Sequence, residues 1–134
     1  MIVLLTGRSL LCAGLAGKLG QADWPVVSVP LTSSIKQLAA TLRKVEPQIL
    51  IIDASDMRGA GFLFLDGLRH EAGLTACPVL IVAGGSMADA ERFCAAAAAR
   101  GMHVELNAVG FDELVAEVEA LIGPAPVDLV PVAD

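Results

Sequence analysis

The feature that most constrains this chain is a pair of short segments made entirely of apolar residues. Residues 49–52, Ile-Leu-Ile-Ile, follow Pro47 and run into Asp53, and residues 79–82, Val-Leu-Ile-Val, follow Pro78. Apolar runs of this length without polar alternation are typical of strands that are buried on both faces. Such strands occur in parallel sheets that are covered by helices on each side. The chain is therefore predicted to fold around a central parallel sheet.

Further strands and helices are predicted around these two runs. The second helix shows the clearest pattern, because Ile35, Leu38, Ala39, Leu42 and Val45 recur at the spacing of one helical face. The other predicted strands cover residues 2–5, 24–29 and 104–106, and the predicted helices cover residues 10–19, 35–45, 61–71, 87–100 and 110–122. This alternation indicates an α/β protein with a doubly wound parallel sheet, a (βα)5 arrangement. The expected strand order is the flavodoxin-like 2-1-3-4-5.

Glycine and small hydroxyl residues mark the ends of these helices. Gly20, Gly73 and Gly101 are predicted to end the first, third and fourth helices, since glycine adopts the left-handed conformation found after a helix. A hydroxyl side chain among residues 32–34 is predicted to cap the second helix. One domain is therefore expected over residues 1–122, with residues 123–134 forming a proline-containing tail or linker.

Charge and cysteine usage restrict the class of function. The net charge of −6 argues against a nucleic-acid surface, and no Lys or Arg follows Arg100. Cys12, Cys77 and Cys94 are widely spaced in apolar surroundings, which predicts buried free thiols in a reducing cytoplasm and no metal site. No segment has the length of a membrane span. An aliphatic protein without nucleic-acid, metal or membrane binding is expected.

The order of these motifs resembles the receiver domain (CheY-like) of bacterial two-component response regulators. The resemblance rests on residues 47–53, on Gly61 opening a helix, on residues 77–82, and on an alanine-rich helix that ends at Gly101. It covers about residues 2–122. In that family an aspartate at the end of the third strand accepts a phosphoryl group from a histidine kinase, and Asp53 matches it. The resemblance therefore implies the phosphoacceptor position and the flavodoxin-like fold.

The other functional positions of receivers carry different residues here. The acidic pair that holds Mg²⁺ after strand one falls on Thr6 and Gly7, and the first acidic residue of the whole chain is Asp23. The hydroxyl residue after strand four is replaced by Ala83. The lysine after strand five is replaced by Asn107, counting back from Leu114, or by Ala108, counting forward from Gly101. Because a divalent cation needs several oxygen ligands, the sequence predicts a degenerate pseudo-receiver without catalysis, cofactor or metal. Asp53 is then expected to be a relic carboxylate that caps a loop or the next helix.

The expected role is a non-catalytic interaction or dimerisation module in signalling or localisation. In receivers the face made by the fourth helix, the fifth strand and the fifth helix is the usual partner surface. Here it carries Glu105, Asp112, Glu113 and Glu117, which predicts a basic or self-complementary protein partner, with a homodimer as one form. Exposed Leu63, together with Met57 and the alanine face of the fourth helix, is predicted to form an apolar contact patch.

Two other functions remain open from the sequence. One is a receiver that is phosphorylated on Asp53 with the help of unusual residues. The other is a small-ligand-binding flavodoxin-like domain, against which stand the 4% aromatic content and the absence of a phosphate-binding loop pattern.

Overall fold

Strands and helices alternate along the chain in the predicted order. The structure is a computed structural model, and it describes residues 2–6, 10–30, 34–53, 61–83, 90–106 and 111–123. The strands are β1 (Ile2–Thr6), β2 (Val26–Pro30), β3 (Ile49–Asp53), β4 (Val79–Ala83) and β5 (His103–Leu106). The helices are α1 (Leu10–Gln21), α2 (Ile35–Val45), α3 (Gly61–Ala72), α4 (Ala90–Ala99) and α5 (Phe111–Ile122).

The strands form one parallel sheet in the order β2-β1-β3-β4-β5, which confirms the predicted flavodoxin-like topology. In the register of this sheet Ile2 lies beside Ile49, and Asp53 lies beside Val82. Because all strands are parallel, their carboxyl ends meet at one edge of the sheet, called here the carboxyl edge. Their starts meet at the opposite edge, the amino edge.

The sheet separates two hydrophobic clusters, one on each face. Leu50 and Ile52 of β3 belong to the cluster that contains residues of α2, α3 and α4. Ile49 and Ile51 belong to the cluster that contains residues of α1 and α5. These four side chains are at most 2% exposed, and burial of each contributes roughly 1.5–3 kcal/mol. β3 is thus buried on both faces, as its apolar run predicts.

Each of the five described helices is followed by a residue in the left-handed conformation, namely Asp23, Glu46, Gly73, Gly101 and Gly123 in chain order. Gly73 and Gly101 take this position after α3 and α4, with φ angles of 71° and 69°, which confirms the sequence prediction. The prediction that Gly20 ends α1 is wrong, because α1 continues to Gln21 and Asp23 adopts φ 66° instead. The hydrogen bond from Trp24 N–H to the Leu19 carbonyl, 3.0 Å, closes this turn.

Burial of Trp24 explains where α1 ends. Trp24 is only 3% exposed and packs in the same cluster as Leu19. A contact between the residue that closes the turn and the residue five positions earlier is the hydrophobic partner of this motif. It favours a left-handed Asp23, which is one of the less costly non-glycine residues in that conformation.

The start of α2 is fixed by a side-chain cap. Ser34 precedes the helix in an extended conformation, and its hydroxyl accepts a hydrogen bond from the Gln37 N–H at 3.3 Å. The structure thus selects Ser34 among the hydroxyl residues at 32–34. Leu38, Ala39 and Leu42 are buried, and Ile35 and Val45 pack against the same cluster, so the predicted inward face of α2 is confirmed.

Arg69 is a buried cation that ties α3 to two neighbouring segments. It is 8% exposed, and its guanidinium donates to the carbonyl oxygens of Thr75 and Cys77, both at 2.9 Å, and of Arg100 at 3.2 Å. The first two carbonyls precede β4, and the third follows α4. Carbonyls at a helix end favour a cation because the helix dipole is negative there. Arg69 therefore fixes the amino edge beside β4.

Arg100 reinforces the same corner from the outside. Its Nε donates to Asp66 at 2.9 Å, and its guanidinium lies 5.2 Å from the centre of the Phe62 ring. Phe62, Asp66 and Arg69 are spaced four and three residues apart, so they share one face of α3. Both charges of the Asp66–Arg100 pair are partly exposed, so the pair contributes at most about 1 kcal/mol.

The free thiols differ in their surroundings. Cys77 is buried, as predicted, whereas Cys94 is only partly buried and the side chain of Cys12 lies outside the described part. Burial raises the pKa of the Cys77 thiol above its ordinary value, and the positive charge of Arg69 partly opposes this shift. A protonated, buried thiol is a poor nucleophile, so Cys77 acts as a core residue.

We expect Gly17→Ala to stabilise the protein by about 0.5–1 kcal/mol, because a β-carbon at this position in α1 meets nothing within 4 Å and alanine is the better helix former. Gly73→Ala should instead destabilise it by roughly 1–2 kcal/mol, because alanine is strained in the left-handed conformation. Urea unfolding of both variants measures the difference. Equal effects of the same sign would contradict these assignments.

Arg69→Lys should lower the free energy of unfolding by about 2 kcal/mol, because an ammonium group cannot reproduce the planar fork that serves three carbonyls. Arg43→Lys is the matched control, since exposed Arg43 makes one hydrogen bond, to the Glu71 carbonyl at 2.7 Å. Its effect should stay below about 0.5 kcal/mol. Similar losses in both variants would show that Arg69 has no special structural role.

Candidate functional site

The carboxyl edge of the sheet brings several predicted site residues together. Thr6, Asp53 and Ala83 are the last residues of β1, β3 and β4, and β3 lies between the other two strands. Leu5 is level with Ile52, so Thr6 and Asp53 end their strands at the same height. Ala83 lies one step beyond the Asp53–Val82 pair. The structure therefore brings these three backbone positions to a common edge of the sheet.

Asp53 is the central side chain of this edge. It is 8% exposed, and it and Arg69 are the buried charged residues among those that the structure describes. By strand alternation it lies on the face of Ile49 and Ile51, which is the face covered by α1 and α5. Among the last residues of the strands, which are Thr6, Pro30, Asp53, Ala83 and Leu106, Asp53 is the one carboxylate.

Several predicted positions lie outside the described residues. These are Gly7 after β1, Asn107 after β5, and Met57 in the segment after β3. The backbones of Thr6, Ala83 and Glu105 are described, and their side chains are not. Within the described ranges no group of three or more His, Cys, Asp or Glu side chains is arranged to hold a metal ion.

The acidic residues predicted to bind a partner lie in β5 and α5. Glu113 is exposed and Glu117 is partly exposed, and they are four residues apart on one side of α5. Asp112 forms an ion pair with Lys18 of α1 at 2.9 Å, although 84% of its side chain remains exposed. Asp112 is thus directed toward α1, while Glu113 and Glu117 remain on the opposite flank of the helix.

Leu63 on α3 is exposed to 68%, as the sequence analysis expected. Ala95, Ala98 and Ala99 are also exposed on α4. The Asp66–Arg100 ion pair adjoins both helices, because Asp66 follows Leu63 by three residues and Arg100 directly follows α4. The predicted apolar patch therefore includes a charged pair at its border, which sequence reasoning did not foresee.

A groove at the β2 edge of the sheet was also missed. It has a volume of about 310 Å³ and lies between β2 and α2, lined by Val27, Val29 and Leu38 with the polar residues Gln37 and Thr41. The sequence does contain a signal for it, because β2 precedes a helix whose exposed face is polar and basic. The predicted strand order places β2 at an edge, but the open space between β2 and α2 depends on side-chain packing that the sequence pattern does not show.

Comparison with known proteins does not assign the chain to a family. No model of a known protein family matches it, and no curated protein matches it either. None of the described helices is long and apolar enough to cross a membrane. The structure thus establishes the parallel flavodoxin-like α/β fold of the chain.

Proposed function

We propose that this chain is a receiver-like domain that has lost phosphorylation chemistry and acts as a protein–protein interaction module in signalling or localisation. One observation carries the proposal. Asp53 ends the central strand of a 2-1-3-4-5 sheet, where receivers keep their phosphoacceptor, while the neighbouring strands end at Thr6 and Ala83. Receivers have acidic residues after the first of these strands and a hydroxyl residue after the other.

The positions of the first acidic residue and of the last lysine of the chain support the loss of chemistry. Asp23, the first acidic residue of the chain, lies two residues before Pro25, whose carbonyl accepts the Ile2 N–H at the start of β1. Asp23 is therefore at the amino edge, at the opposite end of the sheet from Asp53. Lys44, the last lysine of the chain, also lies at the amino edge because it shortly precedes the start of β3.

Phosphoryl transfer to a carboxylate depends on neutralising the charge of the transferred group. Mg²⁺ needs an octahedron of oxygen ligands, several of them commonly carboxylates or water. Removing a single preorganised electrostatic stabiliser commonly lowers a rate by about 10²–10³. With the acidic pair, the hydroxyl and the lysine all replaced, a phosphoryl group on Asp53 has little support.

The acidic flank of α5 provides the surface for interaction. α5 carries acidic residues in its first turn and no basic residue in its last turn. Glu113 and Glu117 project from it without a basic partner in the described part of the chain, unlike Asp112. We therefore assign this flank, together with Glu105 in β5, to a partner with a basic surface.

Incubation with acetyl phosphate and Mg²⁺ should leave the protein unmodified, as measured by the mass of the intact chain. A functional receiver treated in parallel shows that the donor is active. The alternative function, a phosphorylatable receiver, is favoured by the position of Asp53 at the end of β3. A Mg²⁺-dependent phosphate adduct that disappears in Asp53→Asn would establish that alternative.

Replacing Glu113 and Glu117 with lysine should weaken capture of the partner at least about tenfold, equivalent to about 1.4 kcal/mol of binding free energy. The control is the double variant Glu46→Lys and Glu71→Lys, which changes the net charge equally at exposed positions away from α5. The partner is purified on the wild-type protein from cells that produce it, and its affinity for each variant is measured. A strict monomer without any partner, or equal affinities of both double variants, would exclude this surface.

A further inference from the structure

β2 is an edge strand whose outward hydrogen-bonding groups can be identified from the register. The Ile2 N–H donates to the Pro25 carbonyl at 2.8 Å, and Ile2 is level with Val26. In a parallel ladder a residue directs both its N–H and its C=O to the same neighbouring strand, and the next residue directs them to the other side. Val27 and Val29 therefore pair with β1, and Val26, Ser28 and Pro30 face outward.

These outward groups have no strand beside them in the part of the chain that the structure describes. They are the N–H groups of Val26 and Ser28 and the carbonyl groups of Val26, Ser28 and Pro30. Ser28 and Pro30 are exposed, and Val26 is half-buried. Proline supplies no N–H, so the row of donors ends at Ser28. The row is long enough for a short added strand.

The groove described above runs beside this row on the α2 side of the sheet. Val27, Val29 and Leu38 supply its apolar surface. Gln37 and Thr41 form its outer wall, and the Thr41 hydroxyl donates to the Gln37 carbonyl at 3.2 Å. Because that hydroxyl is already bonded within the helix, Thr41 needs no polar group from a ligand. The volume of about 310 Å³ accommodates apolar side chains of an added strand.

The positive charge of α2 favours an added strand that carries acidic side chains. Its charged residues are Lys36, Arg43 and Lys44, and it contains no acidic residue, in a chain with a net charge of −6. Lys44 follows Thr41 by three residues and therefore continues the outer wall of the groove. Lys36 lies seven residues before Arg43, which reaches α3, so Lys36 is on the opposite flank.

We propose that the β2 edge and this groove bind an extended peptide segment of a partner protein, whose groove-facing side chains are apolar and are flanked by carboxylates on the same face. The peptide pairs with the outward groups of Val26, Ser28 and Pro30 and places apolar side chains on Val27, Val29 and Leu38. A groove-facing carboxylate at the end of the apolar run lies near Lys44, because it shares the α2 face of the sheet with the apolar side chains. A second copy of β2 fits less well, because two basic α2 helices would approach each other. This site is on the sheet edge opposite the acidic α5 flank, so it is independent of the function proposed above.

The test is titration of the ¹⁵N-labelled full chain with a capped synthetic heptapeptide, Asp-Thr-Val-Thr-Val-Thr-Asp, followed by NMR. In an added strand its two aspartates and two valines share the face that meets the groove, in either strand direction. We expect the amide signals of Val26 and Ser28 to shift, and hydrogen exchange of the Ser28 amide to slow. The same peptide methylated on alternate backbone nitrogens, and a peptide with lysine in place of each acid, should bind at least about fivefold more weakly, since they lose hydrogen bonds or charge complementarity.

Three pairs of variants locate the contact. Ser28→Pro removes the outward N–H, and its control, Ser28→Ala, removes only the side chain. Thr41→Trp fills the groove, and its control, Ala40→Trp, adds the same side chain to the exposed face of α2. Lys44→Glu reverses the charge on the groove wall, and Lys36→Glu does so on the other flank. Each first variant should weaken binding about fivefold or more relative to its control.

The inference is overturned if the heptapeptide causes no shift in β2 at millimolar concentration, or if the methylated peptide binds equally well. It is also overturned if Thr41→Trp and Ala40→Trp bind alike. Preferential binding of the lysine peptide would assign the groove to a basic partner and reject the proposed chemistry. The peptide comparison needs no variant, so it remains decisive if Ser28→Pro fails to fold.

Discussion

The burial of β3 on both faces is the constraint on which the rest of the structure depends. Every residue of Ile49–Asp53 is buried, and alternate side chains enter opposite hydrophobic clusters. A slip of one residue would exchange Leu50 and Ile51 between the clusters and turn Asp53 to the other face of the sheet. Since β1 and β4 both pair with β3, their ends at the carboxyl edge are set by the same register. The geometry of the candidate site follows directly from this packing.

Local patterns were sufficient to predict the fold because they agree with the tertiary structure almost everywhere. The apolar runs at residues 49–52 and 79–82 became central strands, and the apolar face of residues 35–45 became the buried face of α2. Gly20 was the exception. The sequence rule selects glycine as the residue after a helix, whereas burial of Trp24 against Leu19 moved that position to Asp23. The deciding contact involves packing that a propensity rule does not contain.

Arg69 shows why part of the molecule could not be predicted. An arginine on a helix is usually solvent-exposed, and nothing in its neighbours along the chain suggests otherwise. Its partners are backbone carbonyls, one of them 31 residues away, and carbonyls have no sequence signature. Part of the candidate surface was likewise not predictable from the sequence. The position of Asp53 at a strand end was readable from the apolar run, and the predicted strand order put β2 at an edge. The groove between β2 and α2 depends instead on how the side chains of these two elements pack, which no local pattern contains.

The order of the strands leaves the sheet with two ends, and each has a different means of avoiding uncontrolled growth. Exposed edge strands are templates on which further copies of a chain stack into aggregates. β5 has only the four residues His103–Leu106 and offers little length to an incoming strand. β2 is longer, but it ends in Pro30, which interrupts the ladder. Resistance to fibril formation at high protein concentration would then depend on that proline ring together with the positive charge of α2.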